Sequence, residues 1–132
     1  MNKQLENAMK ALHKAEDALE NAEYNFKAGF FLPTANRSYY SAFYCMIALL
    51  YSQNIITKTH QGAHSKFFEL FVKTKVFPVQ AAEHTAFLFK YRQQADYDFD
   101  VDLSEEEAKT LISKASEFLQ LTKAYFDALK AE

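Results

Sequence analysis

Leu32-Pro33-Thr34-Ala35-Asn36-Arg37-Ser38-Tyr39-Tyr40-Ser41-Ala42-Phe43-Tyr44-Cys45-Met46-Ile47-Ala48-Leu49-Leu50-Tyr51 is a run with one charge in it, Arg37. Pro33 suits the first turn of a helix, where its missing amide hydrogen has no partner to lose. The helix so predicted runs to about Gln53. On a helical wheel, Ala35, Tyr39, Ala42, Phe43, Met46, Leu49 and Leu50 share one face. Arg37, Tyr40, Tyr44, Ala48 and Tyr51 take the opposite one. A helix apolar on both sides is buried on both sides. One side can meet a bundle core; the other is expected to meet another chain or an inserted segment.

Outward from this helix, the remaining segments show the same period. Leu5, Ala8, Leu12, Ala15, Leu19, Ala22 and Phe26 alternate steps of three and four, and the pattern stops at Lys27-Ala28-Gly29, a cation followed by a C′ glycine. A third helix is expected from about Thr59 to Lys75, broken by Val76-Phe77-Pro78, and a fourth from about Gln80 to Gln94 or slightly beyond, with His84, Leu88, Tyr91 and Ala95 on one face. Ser104 and Glu107 form a capping box for a last helix, whose stripe includes Ala108, Leu111, Ala115, Phe118 and Phe126. The expected fold is all-α, an antiparallel up-and-down bundle of four long helices plus a shorter one, with residues 1–132 as a single domain.

Composition agrees. Only two Gly and two Pro occur in 132 residues, too few breakers for an all-β fold with its frequent turns. Aromatics reach 16 %, all Phe and Tyr. A net charge of −2 gives no global basic field, so any RNA contact must come from a local cluster. Cys45 is the one cysteine and reads as a small buried hydrophobe in a reducing compartment. The first residues carry charges but no apolar signal core, and Ser38 to Tyr51 is too short to span a bilayer. The expectation is a soluble, cytoplasmic chain with no membrane partner.

Three places could carry chemistry. Arg37 cannot lose its charge, so an enclosed guanidinium there is expected to have found a negative counterpart. It reads either as a structural ion pair or aromatic-stacked arginine, or as an anion or nucleotide contact among tyrosines. Arg92 and Asp96 lie four apart and share a face if the fourth helix continues, with Tyr97 beside them. They read as a helix-end pair, or as a guanidinium, a carboxylate and a phenol gathered to hold phosphate. Asp96 could serve either arginine. His60 and His64 sit one turn apart, a spacing that can hold a metal, but no third ligand is nearby and no metal is expected. His60 could instead cap backbone or, with Lys66, meet an anion at the helix start. The acidic run from Asp96 to Glu107 lacks the central glycine of a calcium loop and reads as a solvated loop entering a helix. No Gly-rich phosphate loop, Gly-x-Ser-x-Gly or Cys–His pattern is present, which argues against an ordinary hydrolase or NTPase.

Three motifs, in order, resemble the HEPN domain. They are Arg37-Ser38-Tyr39-Tyr40-Ser41-Ala42-Phe43; Thr59-His60-Gln61-Gly62 followed by Phe67, Phe68 and Phe71-Val72; and Arg92-Gln93-Gln94-Ala95-Asp96-Tyr97. The resemblance implies a bundle that dimerises, is paired with a minimal nucleotidyltransferase, and belongs to a two-component, toxin–antitoxin-like system. The reading that joins this resemblance to the residues is a bundle that dimerises through the Arg37, Tyr40, Tyr44 and Tyr51 face and binds a nucleotide or anion in a groove of Arg37, Tyr40, His60, Arg92, Asp96 and Tyr97, with no cofactor. Many HEPN toxins are metal-independent ribonucleases with an Arg followed after a short spacer by a His. Here Asp96 and Tyr97 stand in that region and no histidine follows His84. No residue is therefore assigned a catalytic role. An alternative ribonuclease would use Arg92 with His60 or Asp96. In some toxin members a tyrosine just beyond the motif is modified by the partner nucleotidyltransferase, and Tyr97 is the position here that could serve.

Overall fold

A computed structural model describes residues 2–132. Five helices follow in order: α1 (Lys3–Lys27), α2 (Phe31–Ser52), α3 (His60–Phe67, continued by a π-helical turn, Phe68–Val72), α4 (Val79–Tyr97) and α5 (Glu105–Ala131). No strand occurs among the described residues. The architecture is an all-α bundle of four long helices and one short one.

Local chemistry sets the helix ends. Gly29 adopts φ +82°, a left-handed conformation that a side chain resists, while its amide bonds to Phe26 and that of Phe30 bonds to Asn25. That pair of bonds turns the chain within three residues, so α2 must run back along α1. Pro33 lies in the first turn of α2, which starts two residues before it. At α5, Ser104 and Glu107 exchange side-chain and backbone bonds at 3.0 Å in both directions, as the capping box requires.

The expected third helix ends early. Its π turn carries the Lys73 amide back to the Phe68 carbonyl, and Lys75 takes φ +67°, which closes the helix at Val72. The extra residue in that turn lets Phe67, Phe71 and Val72 all point inward. Phe67 meets Phe118 edge-on at 5.2 Å and Phe77 at 5.6 Å, forming the apolar end of the core. The fourth helix, by contrast, runs past Gln94 to Tyr97.

Helix α2 is the hub, packed against α1, α3, α4 and α5. Its second side needs no other chain to bury its small residues. Ala8, Ala11, Ala15, Ala18 and Ala22 of α1 form a stripe thin enough for α2 to approach closely, and the Ser41 hydroxyl donates to the Ala15 carbonyl across the pair at 2.8 Å. Cys45 and Ala48 are fully buried there, while Tyr40, Tyr44 and Tyr51 remain half-buried at the rim. Burial pushes the Cys45 thiol up to about 12, so it stays a thiol, inert as a nucleophile. No described helix is long and apolar enough to cross a membrane.

Candidate functional site

The site begins with Tyr39, which the wheel assigns to the core and which is indeed fully buried. A buried phenol needs a hydrogen-bond partner. It finds two: Nδ1 of His60 at 2.8 Å and Nε2 of His64 at 3.1 Å. The first turns of α3 aim both imidazoles at α2, because Thr59 caps that helix by accepting from the Gly62 amide. One phenol cannot donate twice, so it donates to one ring and accepts from the other. The spacing that suggested a metal clamp instead serves a tyrosine.

The surroundings favour neutral imidazoles. Burial, and then the Arg92 charge, lower the His60 pKa. Burial, and then His60, push His64 down to about 4. Desolvation likewise lifts the Tyr39 phenol above its ordinary range, against the pull of Arg92. All three groups are uncharged near neutrality.

Over this trio lies Arg92, only 7 % exposed. Its guanidinium carbon sits 5.2 Å from the Tyr39 ring centre, 5.7 Å from Tyr40, 5.6 Å from Phe89 and 5.8 Å from Tyr97. Four rings sheathe the cation, and ring faces attract it. Its polar contacts are poor by comparison. Nη1 stands 3.5 Å from Asp96, too long for a strong charge-assisted bond, and the buried Nε has no acceptor among the described residues.

Asp96 is shared. The Asn36 amide donates to its two oxygens at 3.1 and 3.3 Å, and Asn36 Oδ1 in turn accepts from Arg37 Nε at 3.0 Å. Arg37 stacks on Tyr40 at 5.1 Å. The carboxylate counterpart expected for Arg37 is absent among the described residues; an amide oxygen and a ring face take its place, because Arg37 is only partly buried and water solvates the rest. Lys66, the residue that could have met an anion together with His60, instead binds Glu69 at 3.1 Å.

The six candidate residues therefore meet. Arg37 touches Tyr40; Tyr40 packs edge-on against His60 at 5.8 Å; Arg92 lies against Tyr40, Tyr97 and Asp96. Comparison with known proteins gives this cluster its context. The pattern that defines the HEPN domain matches residues 8–125, from the second turn of α1 to near the end of α5. The chain belongs to the HEPN family. A candidate toxin of Methanocaldococcus jannaschii is 39 % identical over 116 residues, covering 88 % of this chain and 79 % of its own. A "UPF0332 protein" of Thermotoga maritima is 30 % identical over 117 residues, covering 89 % of each chain.

This HEPN bundle holds site residues that sequence reasoning did not assign to the groove. Tyr39 and His64 were hidden by their core position and by the metal-like spacing. Asn36, which links Arg37 to Asp96, carries no signal at all beyond its place in the motif. Phe89 closes the sheath and lies 5.2 Å from His64.

Proposed function

We propose that this HEPN bundle is a single unit that engages a phosphate-bearing ligand of the nucleotide class through Arg92, as one component of a cytoplasmic, toxin–antitoxin-like pair whose other member is a minimal nucleotidyltransferase. Two copies pair through the face of Arg37, Tyr40, Tyr44 and Tyr51. The observation that carries the reading is the under-used guanidinium. Arg92 is 7 % exposed, has a single carboxylate contact at 3.5 Å and leaves Nε unpaired. A buried charge so poorly compensated costs stability, which is tolerable where a ligand completes it. The forked N–H groups match a phosphate's oxygens. The exposed Tyr97 beside the cation is suited to be the ring that moves or is modified when a partner arrives. A relative named as a candidate toxin supports the two-component setting.

The test is ATP titration by calorimetry on wild type and Arg92→Met. The variant should lose affinity about tenfold or more while its Tm holds or rises. No ATP binding by wild type, together with a sharp fall in Tm for the variant, would make Arg92 a structural cation and end the proposal.

A second reading, a metal-independent ribonuclease, is favoured by one observation: a neutral His60 beside the Arg92 cation. When the Nδ1–H of His60 donates to Tyr39, Nε2 carries no proton and can take one while Arg92 steadies developing negative charge. Asp96 suits that role less, because the Asn36 amide and Arg92 already occupy its oxygens. Cleavage of a fluorescent RNA in the presence of a chelator, lost in His60→Gln and kept in Asp96→Asn, is the expected result. Equal turnover by all three proteins would dispose of it.

A further inference from the structure

Two surfaces of opposite charge flank the candidate site, and neither is satisfied within the chain. The first is the turn after α4. Asp98 Oδ1 accepts from the Asp100 amide at 3.0 Å, and the Asp98 carbonyl from Val101 at 3.3 Å. This turn lifts Phe99 wholly into solvent, at 101 % exposure, between Asp98 and Asp100, with Tyr97 72 % exposed beside it. The second is a groove of about 550 Å³ between α1, α2 and the α2–α3 connector. Lys10, Lys14 and Lys58 line it together with Tyr44, Tyr51 and His60. No carboxylate lines it, and none of the three lysines pairs with one among the described residues. Lys14 lies 5.7 Å from the Tyr44 ring.

We infer that the Asp98–Val101 turn of one copy docks in the lysine groove of a second copy, with Phe99 on the Tyr44 and Tyr51 rings and its flanking aspartates on Lys14 and Lys58. The inference rests on the pairing of two copies proposed above and names the contacts that make it. An apolar ring needs an apolar seat, and an acidic rim needs cations; the groove supplies both. A nucleic-acid strand would match the lysines but leave the Phe99 knob uncovered, beside two aspartates that repel phosphate. Exchange across a two-fold axis seats both turns at once, since a self-complementary surface repeats its contact. The partner's turn would then lie against His60, at the edge of the candidate site.

Sedimentation of wild type, Phe99→Ala, the double variant Lys14→Glu/Lys58→Glu and its combination with Asp98→Lys/Asp100→Lys tests this. All of these positions are exposed, and an unchanged thermal melt verifies folding. Wild type should be a dimer, Phe99→Ala and the lysine variant should dissociate at least about tenfold more readily, and the charge-swapped combination should recover association. A wild-type monomer would overturn the pairing and the docking together. A wild-type dimer indifferent to Phe99→Ala and to the lysine changes would overturn the docking alone. Loss of fluorescent oligouridylate binding in the lysine variant, with its dimer intact, would assign the groove to nucleic acid and likewise overturn the docking.

Discussion

The hydroxyl of Tyr39 lies 2.8 Å from Nδ1 of His60, and the same oxygen reaches His64 on the next turn of α3. A core position thus carries the one polar group that, among the described residues, fastens α3 to α2. Tyr39→Phe keeps the ring and strands two imidazole nitrogens. The expected loss is about 1–2 kcal/mol, read as a Tm lower by roughly 5 °C in a circular dichroism melt. An unchanged Tm would mean that the shared bonds contribute nothing.

The depressed pKa of His64 gives stability a pH dependence. Folded, the ring resists protonation until about 4; unfolded, it takes a proton below its ordinary 6.5. The unfolded state therefore binds more protons between those values. Stability is full above pH 6.5, declines as pH falls towards 4, and loses nothing further to this group below that. His60, shifted the same way, adds to the slope. Urea unfolding of wild type and His64→Gln at a series of pH values should show the slope flattened in the variant; parallel curves would contradict it.

Asn36 holds Asp96 on one side and Arg37 on the other. Asn36→Ala removes both links at the last turn of α4. Because the Asp96 bonds are solvent-facing and the Arg37 bond is only part-buried, the cost is about 0.5–1 kcal/mol. Amides of Ala95 to Asp98 should exchange roughly threefold faster, with the middle of α4 unaffected. Uniform exchange along the whole helix would show that Asn36 does not pin its end.

The α1–α2 seam depends on small residues. Ala15 is fully buried, with its carbonyl accepting from Ser41 at 2.8 Å. Ala15→Leu forces three extra carbons into that seam and should cost about 2–3 kcal/mol. Glu20→Ala, exposed on the same helix, should be close to neutral. Similar melts for the two variants would refute the close approach.

Local signals read correctly wherever cause and effect lie within about one helical turn. Gly29 terminates α1, Ser104 and Glu107 open α5, and Ala108, Leu111, Ala115, Phe118 and Phe126 face inward. The third helix was misjudged at its end, because a π turn is selected by packing of Phe67, Phe71 and Val72 and not by any breaker. Within the site, the six residues Arg37, Tyr40, His60, Arg92, Asp96 and Tyr97 could be chosen from three separate motifs, but their division of labour could not. Arg37 drew attention as the enclosed cation, yet it ends half-exposed on Tyr40, and Arg92 is the one that is buried.

By itself, then, the sequence determined the helices, the limits that local caps set and the residues that could meet, since backbone hydrogen bonding and side-chain period act over three or four residues. Which arginine goes without a full partner, why a core tyrosine binds two histidines, and that Asn36 bridges two charges were decided only by the tertiary structure. Those outcomes depend on how α2, α3 and α4 are rotated against one another. Side-chain volumes from distant parts of the chain settle that rotation together.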